Sequence, residues 1–425
     1  MSTHSLILEA NDCRKRKFIG RKDNVSQKPV RLAIIGCGGI ANAHLRGYQT
    51  LIEKGVDTFS IDATCDVRKT SAVDFSNKIA AFQGSAPRVY ADVEEMLKAE
   101  KLNAADICTS HSHHHITAIP CLESGVNIMT EKPFGITIKA SKKMIAVAEQ
   151  HGLITATAEN CRRYPGQRAV RWALNEGNLI GKPRIFFAQS AGWNDPAKVG
   201  GWHWRLDKLL SGGGMVMDSG AHMMDTIRYF FGDVEKVYAE VRQIDKRMTN
   251  HKEKGIIPDC HEDTWVAVIT FKSGVIGTWS WTKAAPVHSF LNVAFYGNEG
   301  VIRDRGDVFH PFVFQEGGDM EKLDGTKMTI KELKAAYMAT LSGAEKERLF
   351  PFGIEDGFTL EVYDFINAVK DKRSPEVDGE TGLLAKANSI AIYESGYCGE
   401  AVRIADVLSG KVNAYQREID EYWGL

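Results

Sequence analysis

The eight cysteines, at 13, 37, 65, 108, 121, 161, 260 and 398, include no C-x-x-C pair, so neither a zinc knuckle nor a dithiol redox motif is encoded. Several sit inside apolar runs, where cysteine acts as a small hydrophobe, and a reducing, cytoplasmic compartment is expected. Long hydrophobic runs are missing as well. Uncharged stretches such as Leu209 to Met217 fall far short of the roughly 18 apolar residues that cross a bilayer. A membrane partner is therefore not expected. Nor does charge of either sign dominate, since 53 basic and 54 acidic side chains nearly cancel. Nucleic-acid binding, which calls for a basic excess, is not expected either.

What is present is an ordinary globular composition, 44% hydrophobic and 25% charged over 425 residues, enough for two or three domains at roughly 150 residues each. Residues 1 to 28 read as an arm, because their only apolar run, Leu6 to Leu8, is too short for a signal-peptide core. Strand and helix patterns then alternate. Apolar runs at Leu32–Ile35, Phe59–Cys65, Ala104–Cys108, Val126–Met129 and Leu153–Ala158 are separated by helical periodicity, including His114–Glu123 and Thr137–Gln150. Such alternation predicts a parallel sheet with helices on both faces over residues 29–159. Residues 160–425 read as a second α/β domain with an open, largely antiparallel sheet, its strands at Val234–Val241, Thr264–Phe271, Val275–Trp281 and Phe290–Tyr296. The charged segment 307–352 has no clear pattern.

Gly36-x-Gly38-x-x-Ala41 follows the first strand and opens a helix. The first glycine makes the turn, the second admits a pyrophosphate, and the small third residue lets helix and strand pack. Gly39 and Ile40 complete that turn. Asp66, 30 residues after Gly36 and ending the next strand, can bond both ribose hydroxyls of NAD. Arg68 keeps NADP open. Lys132, in Glu131-Lys132-Pro133, follows a sheet strand and can polarise a substrate oxygen in the crevice. In Gly212-Gly213-Gly214-x-x-x-Asp218-x-x-x-His222-x-x-Asp225, a helix from Met215 would make Asp218 and His222 i, i+4 neighbours, with Asp218 orienting a His222 base. The glycines would let a ligand approach the backbone. Trp193, Trp202, His203, Trp204 and Arg205 form an aromatic loop that can stack on a sugar. His111, His113, His114 and His115, and the run Asp259 to Asp263, look metal-like but lack a complete ligand set, so no metal is expected.

Together with Asn160-Cys161-Arg162-Arg163-Tyr164, Trp204-Arg205 and Phe271-Lys272-Ser273-Gly274, these motifs resemble the Gfo/Idh/MocA oxidoreductases over nearly the whole chain after the arm. The resemblance implies a Rossmann dinucleotide-binding domain, a nicotinamide cofactor and a small sugar or cyclitol substrate. It implies cofactor contacts from Thr109, Ser110, His111, His114, Glu131 and Asn160 besides the glycine turn, Asp66 and Lys132. It also implies substrate contacts from Lys132, Arg163, Tyr164, Trp204, Arg205, Asp218 and His222, with Lys132, Asp218 and His222 catalytic. Where many members carry Thr-Pro-Asn, this chain has Thr109-Ser110-His111, and residues 306–352 resemble an insertion. Hydride transfer at a ring hydroxyl is the expected activity. Redox-neutral glycoside cleavage by transient oxidation and elimination, or a non-catalytic sugar or dinucleotide sensor, are the alternatives. A homo-oligomer, dimer or tetramer, is expected through the open sheet.

Overall fold

The computed structural model describes residues 28–313 and 317–425; the predicted arm therefore lies, but for Lys28, outside the described residues. The first half runs β1 (Val30–Ile35), α1 (Ala41–Glu53), β2 (Phe59–Cys65), α2 (Lys69–Gln83), β3 (Arg88–Tyr90), α3 (Val93–Ala99), β4 (Ala104–Ile107), α4 (His111–Glu123), β5 (Asn127–Glu131), α5 (Ile138–His151) and β6 (Thr155–Ala158). All six strands are parallel, in the order β3-β2-β1-β4-β5-β6, the doubly wound arrangement of a Rossmann fold. β1 and β4 are buried almost without interruption, as strands covered on both faces must be. The short β3 carried no readable apolar run. α4 begins at His111 rather than His114, because Ser110 is already extended and starts the helix there.

The second half comprises α6 (Pro165–Leu174), β7 (Pro183–Ala191), β8 (Gly200–Gly201), α7 (Lys208–Ser211), α8 (Gly220–Phe231), β9 (Val234–Arg242), β10 (Met248–His251), β11 (Gly255–Pro258), β12 (Thr264–Phe271), β13 (Ile276–Thr282), β14 (Phe290–Gly297), β15 (Gly300–Asp304), β16 (Asp319–Lys322) and β17 (Lys327–Thr329). It continues with α9 (Ile330–Thr340), α10 (Gly343–Leu349), α11 (Gly357–Asp371), α12 (Gly379–Cys398), β18 (Val402–Arg403), α13 (Ile404–Ser409) and α14 (Arg417–Trp423). Nine strands form one sheet in the order β17-β16-β15-β14-β7-β13-β12-β9-β18, antiparallel except for the β13–β7 pair. β12 alternates buried and exposed residues along its length. One face of this sheet thus packs on helices, and the other is open to solvent.

The segment 306–352, unplaced in the sequence, adds β16 and β17 to the sheet edge and lays α9 against α6. The last helices return across the molecule: α11 packs on α1, and α12 touches β9 and α8 as well as β6 and α5. Among the described residues, no helix is long and apolar enough to cross a membrane.

Candidate active site

The glycine turn sits where β1 ends beside β4. Gly36 has a φ of +88°, and a Cβ there would lie 2.7 Å from the Cys108 carbonyl oxygen, so only glycine fits. At Gly38 and Gly39 a Cβ would meet nothing within 4 Å. Here the turn faces a cradle open for a pyrophosphate at the start of α1. Asp66, ending β2, accepts hydrogen bonds from the Cys37 N–H (2.9 Å) and the Arg68 N–H (2.8 Å), which fixes its carboxylate beside that cradle. Arg68 is largely solvent-exposed, with Nε 3.9 Å from Asp66. Thr109 and Ser110 follow β4 at the same sheet edge.

Across the crevice, Lys132 leaves the end of β5 and donates from Nζ to the Asp218 carboxylate and to the Asp218 carbonyl, both at 3.0 Å. Burial works to lower the Lys132 pKa, but the carboxylates of Asp218, Glu131 and Glu159 outweigh it and hold the ammonium above the ordinary lysine value. Burial likewise opposes charge on Asp218, yet Lys132 foremost, then His111 and Arg205, keep its carboxyl far below the usual range. Arg205 donates to Asp218 from Nε at 2.7 Å and lies over the Trp204 ring at 4.4 Å. Trp204 meets His111 edge-on at 4.8 Å. His111 donates from Nδ1 to the Ser211 carbonyl at 2.7 Å, with Nε2 3.6 Å from Asp218. Burial lowers the pKa of His111, against the raising effect of Asp218. Lys132, His111, Trp204, Arg205 and Asp218 are thereby brought together.

His222 is also in this crevice, but Asp218 is not its partner. α8 begins only at Gly220, and Asp218 lies in the preceding turn, facing Lys132 instead of the helix face carrying His222. The partner is Glu159, just past β6, whose two carboxylate oxygens each lie 2.9 Å from His222 Nδ1. Glu159 was not foreseen, because a pair 63 residues apart leaves no local spacing to read. Burial would raise its pKa, but His222, the Cys161 N–H and Arg162 bring it below the usual carboxyl value. With a carboxylate on Nδ1, the proton resides there and Nε2 carries the lone pair.

The late start of α8 has a cause in the triple glycine. A Cβ on Gly213 would meet Tyr393 at 2.6 Å, and one on Gly214 would meet Glu262 at 2.5 Å. Glu262 accepts from the Val216 N–H at 3.0 Å and the Tyr393 hydroxyl at 2.9 Å. At Gly213 and Gly214 the glycines therefore admit protein side chains, not a ligand, and the resulting knot holds 212–219 as a turn.

Other residues expected at the site bond within the protein. Arg163 is enclosed and donates to Asp364 (3.2 Å) and Glu376 (3.4 Å) under α11. Tyr164 donates to Asp356 at 3.2 Å and packs under Gly357, securing the start of the same helix. Through these bonds the two residues secure α11. Glu131 turns inward: Oε1 lies 3.0 Å from His44 Nε2, and Oε2 accepts from the Lys132 N–H. Burial disfavours charge on His44, but Asp106 at 2.9 Å and Cys108 outweigh it and raise its pKa, and the ring ties α1 to β4 and β5. His114 places its two nitrogens on the Pro133 (3.0 Å) and Thr109 (3.2 Å) carbonyls, bracing the loops after β5 and β4. Asn160 is buried at the end of β6, its Oδ1 3.5 Å from Cys161 Sγ. The histidines of α4 and the run Asp259 to Asp263 do not gather as ligand sets among the described residues; Asp263, for example, accepts from the N–H groups of Ile244 and Asp245 at 2.8 Å.

Comparison with known proteins agrees with this architecture. Residues 30–159 match the model of an oxidoreductase family with an NAD-binding Rossmann fold, and residues 168–303 match the Gfo/Idh/MocA C-terminal domain. The chain belongs to the Gfo/Idh/MocA family. Within that family it is 24% identical to the myo-inositol 2-dehydrogenase of Thermotoga maritima over 381 residues, covering 89% of this chain and 100% of that protein. It is 25% identical to the D-glucoside 3-dehydrogenase of Escherichia coli over 396 residues, covering 90% of this chain and 100% of the other. The crystal structure of an oxidoreductase domain protein from Kribbella flavida shares the fold at a TM-score of 0.71 and 22% identity, covering 89% of this chain and 100% of that one. This Gfo/Idh/MocA member is a nicotinamide-dependent oxidoreductase that uses NAD. Its open cradle at Gly38 and Gly39 and the fixed Asp66 carboxylate fit that cofactor.

Proposed function

We propose that the enzyme transfers hydride between a ring carbinol carbon of a sugar or cyclitol and NAD, with Lys132, His222, Glu159 and Asp218 as the working groups. The observation that carries this reading is a half-buried Lys132 paired with Asp218 and a carboxylate-backed His222 in one crevice beside the glycine cradle. NAD, when bound there, supplies the hydride acceptor. His222 Nε2 takes the hydroxyl proton, and Glu159 stabilises the imidazolium that results. Lys132 polarises the reacting oxygen, and Asp218 holds Lys132 in place against Arg205. Trp204, with Arg205 over its ring, offers an apolar face for the substrate ring. The names of the two dehydrogenases above, one for an inositol and one for a glucoside, support a polyhydroxylated ring as substrate.

The test is NADH formation from a panel of cyclitols and pyranosides, with aglycone release followed in parallel. Lys132→Ala and His222→Ala should each lower kcat by about 10² or more while fold and NAD affinity persist, and the two losses should not add. Full turnover in either folded variant would refute the assignment.

We further propose that the protein is a homo-oligomer assembled through the open sheet face. Tyr238, Val266, Val268 and Ile276 are exposed on adjacent strands of that face, an apolar patch of the sort a second copy covers.

A further inference from the structure

A cavity of about 210 Å³ opens where the last turns of α8 meet the start of β9, α12, β18 and α13. Its floor is apolar, built by Val234, Leu384, Ile404 and Leu408. None of its lining residues belongs to the crevice that holds Lys132 and His222.

Charge around this floor is unbalanced. Arg228 donates from Nε to Asp233 at 3.1 Å, Lys272 reaches the other oxygen of the same carboxylate at 3.2 Å, and Arg403 pairs with Glu235 at 2.8 Å. Three cations therefore share two carboxylates, and one positive charge is left over. The Arg228 side chain is 20% exposed, so packing sets its position. Among the described residues only its Nε is bonded, which leaves the two terminal nitrogens, the fork that grips a carboxylate in bidentate fashion, without a partner.

Asn388 points to a ligand independently. It lies within α12 and lines the cavity, yet it is 1% exposed, and its amide nitrogen has no hydrogen-bond partner. A buried amide left unpaired is costly, and a bound group that accepts from it removes the cost. Leucine, branched at the same atom, would carry no such cost.

We propose that this cavity binds a small monocarboxylate whose apolar body is about the size of a benzene ring. The carboxylate takes the Arg228 fork and the Asn388 amide, and the body lies on the apolar floor. Apolar cavities of about 150 Å³ accept benzene, so 210 Å³ leaves room for a ring and its carboxylate. The single unbalanced positive charge selects a monoanion over a cation or a phosphate dianion. Bound there, the molecule joins α8, which carries His222, to α12, whose Lys386 donates to the Gly135 carbonyl after Lys132, and so stabilises the folded chain.

The experiment titrates benzoate and benzamide into the full chain loaded with NAD, by calorimetry and by melting temperature. Benzoate should bind with a Kd of about 1 mM or tighter and raise the melting temperature, and benzamide, which lacks the charge, should bind about 10-fold more weakly. Asn388→Leu should weaken benzoate by about 10-fold or more while the ligand-free melting temperature holds or rises. Arg228→Met should weaken it likewise, and covers the case in which the leucine variant folds poorly. Lys132→Ala should leave benzoate binding intact; its loss there would place the ligand in the crevice and overturn the proposal. Benzoate affinity unchanged in folded Asn388→Leu or Arg228→Met, or no binding by wild type at about 10 mM, overturns it too.

Discussion

Glu159→Gln isolates the pairing that organises the proposed base. The substitution preserves size, and the amide oxygen can still accept from the Cys161 N–H, which lies 2.9 Å from the carboxylate, so the fold should persist. What disappears is a full negative charge at a hydrogen bond of 2.9 Å to His222 Nδ1. With charge centres about 4 Å apart and an effective dielectric near 20, a complete imidazolium–carboxylate pair is worth about 4 kcal/mol. A transition state in which the hydroxyl proton is about half transferred would realise about 2 kcal/mol of this, or about 30-fold in rate. Single-turnover NADH formation measures it, with a deuterated carbinol carbon to establish that hydride transfer limits the rate. The expected pattern is a fall of about 10- to 100-fold in the single-turnover rate, with unchanged NAD affinity and melting temperature. A folded Glu159→Gln enzyme with wild-type hydride transfer would refute the reasoning, and so would a loss that follows the melting temperature alone.

The two glycines of the cofactor turn should separate cleanly. Gly38→Val, with open space around its side chain, should fold normally and lose NAD binding by calorimetry, whereas Gly36→Ala, forced against the Cys108 carbonyl at a φ of +88°, should lose about 2 kcal/mol of stability or more. Acid should destabilise the enzyme through His114, whose burial pushes its pKa down to about 3. Below about pH 6.5 the unfolded chain takes up a proton that the folded chain refuses until about pH 3, so stability falls across that window, by about 3 kcal/mol at pH 4 from this residue. His114→Gln should flatten the melting temperature over the same range, and an unchanged slope would contradict the argument. If the proposed homo-oligomer forms through the open sheet face, Val268→Asp should give a smaller mass than wild type in sedimentation without loss of secondary structure; an unaltered mass would exclude that face as the interface.

Local patterns in the chain carried the Rossmann half because its cues are local. Continuous apolar runs, a glycine turn and an acid at the next strand end all lie within about 40 residues, and β1, α1, β2 and Asp66 stand where those cues put them. Alternation in β12 likewise disclosed a sheet with one open face. The site was harder to read, since its decisive partners are far apart in sequence. Spacing suggested Asp218 for His222, but packing of Glu262 and Tyr393 against Gly214 and Gly213 holds Asp218 in a turn and gives it to Lys132. Arg163 and Tyr164 carry polar tips that sequence alone points to a ligand. Only tertiary packing reveals that they bond Asp364, Glu376 and Asp356 at the far end of the chain.

The return of the last helices across the molecule bears on how the crevice can be entered. α12 is a buried strut seated on both sheets, and Lys386 Nζ donates from it to the Gly135 carbonyl in the loop that follows Lys132. Rotating one sheet away from the other would shear that strut from one of its seats and drag the loop with it. The two halves are therefore braced like a closed frame. Compliance is left to the stretch between β7 and α7, which carries Trp204 and Arg205 and is largely solvent-exposed around β8. Substrate traffic in this enzyme should accordingly be governed by a door in the frame, and the pace of its opening by the Arg205–Asp218 latch.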